Sequence, residues 1–171
     1  MSDLAKTQLP TTSALVLERQ DSVLKVWFNR PEAKNALNTE MTNELVNVLS
    51  LVKDDRSIRT IVLRGKGGVF CAGGDIKGFK SNMQSADADE VAKGNRSFGD
   101  VMIMLNEQPQ VVIILVEGAA IGGGLGLACV ADVTLVTADA RFRLSETSLG
   151  IPPAQIAPFV TERVGLTQAR R

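Results

Sequence analysis

Two glycine-rich loops, Phe70-Cys71-Ala72-Gly73-Gly74-Asp75 and Glu117-Gly118-Ala119-Ala120-Ile121-Gly122-Gly123-Gly124, each follow an apolar run and precede a predicted helix. Glycine turns through positive φ and lets backbone N–H groups come close to a ligand. At a helix start those donors have no intrahelical partner and lie at the positive end of the dipole. One such loop can bind an anion, and two that converge can hold a developing oxyanion. Nucleotide fingerprints are absent: Gly122, Gly124 and Gly126 spell GxGxG, but Leu127 follows and no P-loop signature occurs. A single glycine turn can equally serve tight helix–sheet packing, so the pair carries the functional reading.

Composition narrows the chemistry further. The 171 residues contain no histidine, which removes Ser-His-Asp and Cys-His nucleophiles, His-ligated zinc and imidazole bases. Two distant cysteines, Cys71 and Cys129, supply neither a disulfide framework nor a CxxC motif. The 19 Lys and Arg balance 19 Asp and Glu, so no basic excess points to nucleic acid. Carboxylates, backbone amides, lysines and arginines are left to do the work, and no metal site is expected. The N-terminal MSDLAKTQLPTTS lacks an apolar signal core, and the longest uncharged apolar stretch, 118–131, is too short for a bilayer span. A soluble cytoplasmic protein without a membrane partner is expected.

The elements that must position the loops alternate between strand and helix. Runs at 14–19 and 22–29 read as a hairpin joined by Gln20-Asp21, ended by Pro31. Asn38 or Thr39 can cap a helix over 40–53 with Met41, Leu45, Val48, Leu49 and Val52 on one face. Buried strands follow at 58–64 and 111–116, the latter the clearest, with another strand at 133–136. A longer helix spans 86–107 with Val91, Phe98, Met102 and Leu105 on one face, and 125–130 is helical. Gly118 begins a turn into Gly122, the stretch after Asp139 reads as irregular, and 154–164 is weakly helical. Repeated strand–strand–helix units predict a mixed α/β fold with largely buried sheets.

With these residues in order, the chain resembles the crotonase (enoyl-CoA hydratase/isomerase) family over almost its whole length. The resemblance rests on Asn29-Arg30-Pro31-Glu32-Ala33-Lys34-Asn35-Ala36-Leu37-Asn38 and Phe70-Cys71-Ala72-Gly73-Gly74-Asp75-Ile76-Lys77. It continues through Gly122-Gly123-Gly124-Leu125 and Ser145-Glu146-Thr147-Ser148-Leu149-Gly150-Ile151-Pro152-Pro153. It implies a crotonase-like (ClpP/crotonase) spiral of ββα units in one core domain over 1–171, lacking the family's C-terminal helical region. Because a helix starts at Thr167-Gln168-Ala169-Arg170-Arg171 and no stop signal follows, a longer natural protein or a fragment is expected. The run Pro152-Pro153-Ala154-Gln155-Ile156-Ala157-Pro158-Phe159-Val160 looks like hydratases of branched glutaconyl-CoA thioesters. The similarity points first to isohexenylglutaconyl-CoA, of acyclic terpene degradation, and then to methylglutaconyl-CoA.

The resemblance also implies roles. The N–H groups of Gly74 and Gly123 would hold the thioester oxygen as it becomes an enolate. Ala33, Lys34, Ala72, Gly74, Asp75, Ile76, Lys77, Gly122 and Gly123 would line the CoA thioester, with Lys77 near the nucleotide phosphates. CoA is part of the substrate, and no separate cofactor is implied; the partner state would be a homo-oligomer, a trimer or a hexamer made as a dimer of trimers. Family hydratases use two glutamates, and here one matches Glu146 while the other falls on Gly126. Glu146 alone would then activate water and return a proton, and the missing side chain at 126 would leave room for a branched acyl group. Glu117 and Asp132 are left out of catalysis. The expected activity is hydration of a branched 2-enoyl-CoA; alternatives are enoyl-CoA isomerisation by the same glutamate and non-catalytic CoA-thioester binding.

Overall fold

The computed structural model describes residues 7–75 and 88–170. The first two strands, β1 (Leu15–Gln20) and β2 (Val23–Phe28), pair antiparallel through a turn in which Asp21 takes φ 53. Next come β3 (Thr60–Gly65), β4 (Val111–Val116) and β6 (Val133–Val136), giving a five-stranded sheet of order β1-β2-β3-β4-β6. Every neighbouring pair after the first is parallel. A second, smaller layer pairs β5 (Ala119–Ile121) with β7 (Arg141–Arg143), and single bridges extend it from Cys71 to Ala120 and from Leu37 to Gly74.

These two layers explain the chain's path. Each turn leaves a long strand, crosses the short second layer and reaches a helix. Thus β2 leads through Leu37 to α1 (Thr39–Val52), and β4 leads through β5 to α3 (Gly123–Val130). The β3 turn passes through 71–74 and later reaches α2 (Ala88–Asn106), while the β6 turn passes through β7 to α4 (Ala157–Val164) and the short α5 (Leu166–Ala169). This is the expected ββα spiral. No helix among the described residues is long and apolar enough to cross a membrane.

Side-chain alternation builds the core on one face of the sheet. Leu24, Val26 and Phe28 from β2, Ile61 and Leu63 from β3, and Val112, Ile114 and Val116 from β4 are all buried. Against them lies the predicted stripe of α1, Met41, Leu45, Val48, Leu49 and Val52, each likewise buried. Burying a side chain of this size contributes about 1.5–3 kcal/mol. Asn38 starts the helix, its side-chain oxygen accepting from Met41 N–H at 2.9 Å. From α2, Met102 and Leu105 join the core and Phe98 packs against it, whereas the Val91 side chain lies outside the described residues.

Three expectations need correction. The sheet is not buried on both faces: Lys25, Trp27, Val62 and Arg64 look outward and are half-buried, and the clearest predicted strand, β4, alternates in the same way. Leu135, Val136 and Phe142, on β6 and β7, are exposed. The stretches read as a turn after Gly118 and as irregular chain after Asp139 hold β5, β7 and a 3-10 turn, Glu146–Leu149. Three-residue strands are too short to show a period of two.

Asp55 ties the N-terminal segment to the loop between α1 and β3. Its carboxylate accepts from the Ser57 hydroxyl, from Ser57 N–H at 2.9 Å and from Thr7 N–H at 3.3 Å, with Arg19 Nη1 3.4 Å away. The Ser57 hydroxyl is the chief cause that holds the carboxyl well below its ordinary value of 3.8. A lowered native pKa stabilises above the unfolded value and is lost as pH falls toward the native one. Asp55→Ala should therefore lower the urea midpoint at pH 7, and the gap to the parent should narrow as pH drops below 3.8. Urea titrations at pH 7 and pH 3 check this; an equal gap at both would show that the ionised carboxylate contributes nothing.

Candidate active site

The first glycine loop is held from both sides by backbone. On one side Phe70 N–H donates to Glu117 C=O at 2.9 Å, Cys71 N–H to Ala119 C=O at 3.0 Å, and Ile121 N–H to Cys71 C=O at 2.9 Å. On the other, Ala72 N–H donates to Lys34 C=O at 3.0 Å, Leu37 N–H to Gly73 C=O at 2.7 Å, and Asp75 N–H to Leu37 C=O at 2.9 Å. In such a parallel bridge the flanking residues 73 and 75 make the bonds, so Gly74 turns its own N–H the other way. That N–H has no acceptor among the described residues. Gly73 makes the turn with φ +93, and a Cβ there would fall 2.9 Å from Ile121 O and 3.8 Å from Gly122 Cα. The two glycine loops therefore touch.

The second loop enters α3 through Gly122, whose φ 51 and ψ −118 suit glycine alone. Gly122 N–H donates to Arg143 C=O at 2.7 Å, which fixes the loop to β7. Gly123 opens the helix, so its N–H is one of the donors that a helix leaves unpaired. Glu146 arrives from the 3-10 turn after β7, and its Oε1 lies 2.6 Å from where a Cβ on Gly122 would stand. The other carboxylate oxygen, Oε2, is buried with no hydrogen-bond partner among the described residues. A buried oxygen left unpaired keeps an open acceptor for a donor. The neighbouring walls are apolar: Phe98 Cζ and Leu37 Cδ1 lie 2.9 and 3.2 Å from the Cβ position of Gly123.

The remaining expected residues fall around the first loop. Ala33 ends a 3-10 turn, Pro31–Ala33, and Lys34 follows it in left-handed conformation, exposed, with its carbonyl anchoring Ala72. Asp75 pairs with Arg30 Nη2 at 3.1 Å, while Ile76 and Lys77 lie outside the described residues. Thus Glu146, Gly122 and Gly123 are brought together, and Gly73-Gly74 abuts them. Glu117 and Asp132 are occupied elsewhere, with Arg64 at 2.6 Å and Val112 N–H at 2.8 Å. Burial pushes the Cys71 thiol up to about 12, which rules it out as a thiolate nucleophile. Two cavities of about 330 and 780 Å³ border Cys129 and Arg163 and include neither Gly123 nor Glu146.

One expectation is overturned. Gly126 does not open room: a Cβ there would lie 2.5 Å from Ile156 Cγ2 and 3.0 Å from Met102 Cε. Ile156, buried at 3% exposure, already fills the space that a missing side chain would leave. Sequence reasoning also missed Arg30, Asn35 and Ile156. Only Asn35 carried a local signal, since asparagine tolerates left-handed backbone beside a proline turn.

Residues 18–171 match the family model described as enoyl-CoA hydratase/isomerase. A 2,3-dehydroadipyl-CoA hydratase of Escherichia coli (strain K12) is 36% identical over 141 residues, 82% of this chain and 53% of that protein. The mitochondrial Delta(3,5)-Delta(2,4)-dienoyl-CoA isomerase of Mus musculus is 30% identical over 146 residues, 81% of this chain and 45% of its own. Among solved structures, Pseudomonas aeruginosa AtuE superposes with TM-score 0.90 and 52% identity, covering 93% of this chain and 61% of that one. The chain spans about half the length of the curated relatives it matches.

The Gly126 contact can be weighed by mutation. Alanine would gain up to about 1 kcal/mol of helix propensity, against an overpacking cost of about 1–3 kcal/mol beside Ile156. Gly126→Ala should therefore be mildly destabilising in the parent and clearly less so in an Ile156→Ala background, where the 2.5 Å contact with Cγ2 is gone while Ile156 Cβ and Met102 Cε stay 3.0 Å away. Urea unfolding of the four proteins reads the difference. An equal change in both backgrounds would mean that residue 126 does not press on Ile156 Cγ2.

Proposed function

The chain belongs to the enoyl-CoA hydratase/isomerase family, and on that premise we propose that it hydrates a 2-enoyl-CoA thioester with Glu146 as its one acid–base group. The observation that carries this reading is the Glu146 carboxylate, its Oε1 lying against Gly122 at the start of the helix that Gly123 opens, and its Oε2 buried without a partner among the described residues. Glu146 takes a proton from water as its oxygen attacks Cβ. Electrons shift through the double bond to the thioester oxygen, forming an enolate. The N–H groups of Gly74 and Gly123 hold that oxygen, each such donor contributing about 3–4 kcal/mol in the transition state. Glu146 then returns its proton to Cα, so one carboxylate completes the cycle and no separate cofactor takes part.

Ala33, Lys34, Ala72 and Asp75, with Ile76 and Lys77, take the CoA portion. The branched glutaconyl chain, of the isohexenylglutaconyl or 3-methylglutaconyl type, rests on the likeness of the 152–160 run alone, because Ile156 closes the space beside Gly126. The exposed Leu135, Val136 and Phe142 fit a surface covered in a homo-oligomer. Isomerisation is the second reading. It is favoured by the glycine at 126, where the family's second glutamate would fall, and an isomerase is among the relatives. One carboxylate suffices to move a proton from one carbon of an enolate to another.

Loss of enoyl-thioester absorbance with crotonyl-CoA and 3-methylglutaconyl-CoA measures hydration, and its appearance from a 3-enoyl-CoA measures isomerisation. Glu146→Gln should lower kcat at least about a hundredfold while binding of a saturated acyl-CoA stays within a few-fold. Undiminished turnover in that variant would remove Glu146 from the mechanism. Tight acyl-CoA binding without turnover of any of these thioesters would make the protein a binder and not a catalyst.

A further inference from the structure

We propose that Asn35 is a positioning residue that sets the direction of the Gly74 N–H, and through it the polarisation of a bound thioester. The inference rests on the reading of Gly74 and Gly123 as a donor pair. Asn35 is fully buried, at 0% exposure, so it cannot touch a ligand itself. Its side chain nevertheless makes three hydrogen bonds to three places on the backbone. Oδ1 accepts from Arg30 N–H at 2.9 Å, and Nδ2 donates to Lys66 C=O at 2.8 Å and Val69 C=O at 2.6 Å. Two carbonyls demand donors and one N–H demands an acceptor, so the orientation of the amide is forced.

These partners matter because of what lies beside them. Lys34 and Asn35 both adopt left-handed backbone, φ 50 and φ 54, and this double turn brings the carbonyl of Lys34 and the two polar groups of Leu37 to one edge. The backbone of residues 72–75 is hydrogen-bonded to that edge: Ala72 N–H to Lys34 C=O, and Gly73 C=O and Asp75 N–H to the two polar groups of Leu37. Gly74 sits between the last two, so its peptide plane follows theirs. Arg30 closes the same loop, donating Nη1 to Ala36 C=O at 2.5 Å and pairing with Asp75 at 3.1 Å. Meanwhile the Val69 bond ties the start of the 69–75 run to the same amide. Asn35 is thus the point at which the turn after β2, the turn after β3 and the first glycine loop are joined.

A buried side chain with three backbone bonds also supports the fold, so the test must separate the two roles. Asn35→Gly keeps the positive φ without strain and removes all three bonds. Asn35→Asp keeps the acceptor for Arg30 and removes both donors. The readout is the infrared carbonyl stretch of butyryl-CoA labelled with carbon-13 at the thioester, a ligand with no double bond to hydrate. Two aligned donors lower that frequency on binding. In the parent the downshift should be present; in either folded variant it should fall by half or more while butyryl-CoA affinity changes only a few-fold. Turnover should drop by about 10²–10³ in kcat with little change in KM, as for loss of one oxyanion donor.

No downshift in the parent would overturn the donor-pair reading and this proposal with it. A parent downshift retained in full by a folded variant, with parental kcat, would overturn the Asn35 assignment alone. If neither variant folds, as judged by near-ultraviolet circular dichroism of Trp27 and by melting, Asn35 serves stability only and the assignment is likewise overturned.

Discussion

The carbonyl oxygen of Ile121 lies 2.9 Å from the point where a side chain on Gly73 would begin, and the rest of the site depends on that approach. Two backbone segments from different turns of the spiral meet there edge to edge. Neither can carry a Cβ in the way, so one turns at φ +93 and the other, at Gly122, at φ +51. The contact is possible because the second layer is made of very short pieces, joined by single bridges at Cys71–Ala120 and Leu37–Gly74. A longer strand would have paired all its amides. A strand of one or three residues leaves the next N–H groups without partners, and those groups are the ones a ligand can use.

The carboxylate depends on the same absence of side chains. Glu146 Oε1 lies 2.6 Å from where a Cβ on Gly122 would stand, so any other residue there would push the acid away from the start of α3. Its other oxygen, Oε2, is buried with no hydrogen-bond partner among the described residues, so the carboxylate keeps an open acceptor at this point of the fold. Phe98 and Leu37 line the next position of the helix, at Gly123, while the Ser145 hydroxyl lies 3.2 Å from the same point beside Gly122.

Much of this architecture was legible in the residues. The stripe of α1 and its Asn38 cap follow from a 3.6-residue period and a short-range hydrogen bond, both local quantities. The long strands follow from short apolar, β-branched runs bounded by turn residues, though not which of their faces is covered, and the glycine loops follow from their place between an apolar run and a helix. What was not legible is set by contacts between distant parts of the chain. Whether Gly126 leaves an open space or a close contact is decided by Ile156, thirty positions later, and no periodicity connects them. Likewise β7 is a strand because β5 lies beside it, since Arg141-Phe142-Arg143 has no strand pattern strong enough alone. Asn35 belongs between these cases: its left-handed turn is a local preference, but its bond to Val69 spans 34 positions.

A site whose donors are main-chain amides is tuned by whatever spaces the two segments of backbone, and Cys71 is one such spacer. Its thiol is fully buried and pushed up to about 12 by that burial, so its chemistry is silent at neutral pH. Its bulk is not. Cys71 Cβ and Sγ lie 2.8 and 3.1 Å from the position a Cβ on Gly124 would take, directly between the first loop and α3. The same sulfur accepts from Gly73 N–H at 3.4 Å, one residue before the Gly74 amide. The distance between the two donor loops is therefore set by a small side chain facing a glycine, a pairing in which neither partner can grow without moving the other. Interiors packed this densely transmit a change of one methylene, so the spacing of the two glycine loops is set by residues that lie behind them.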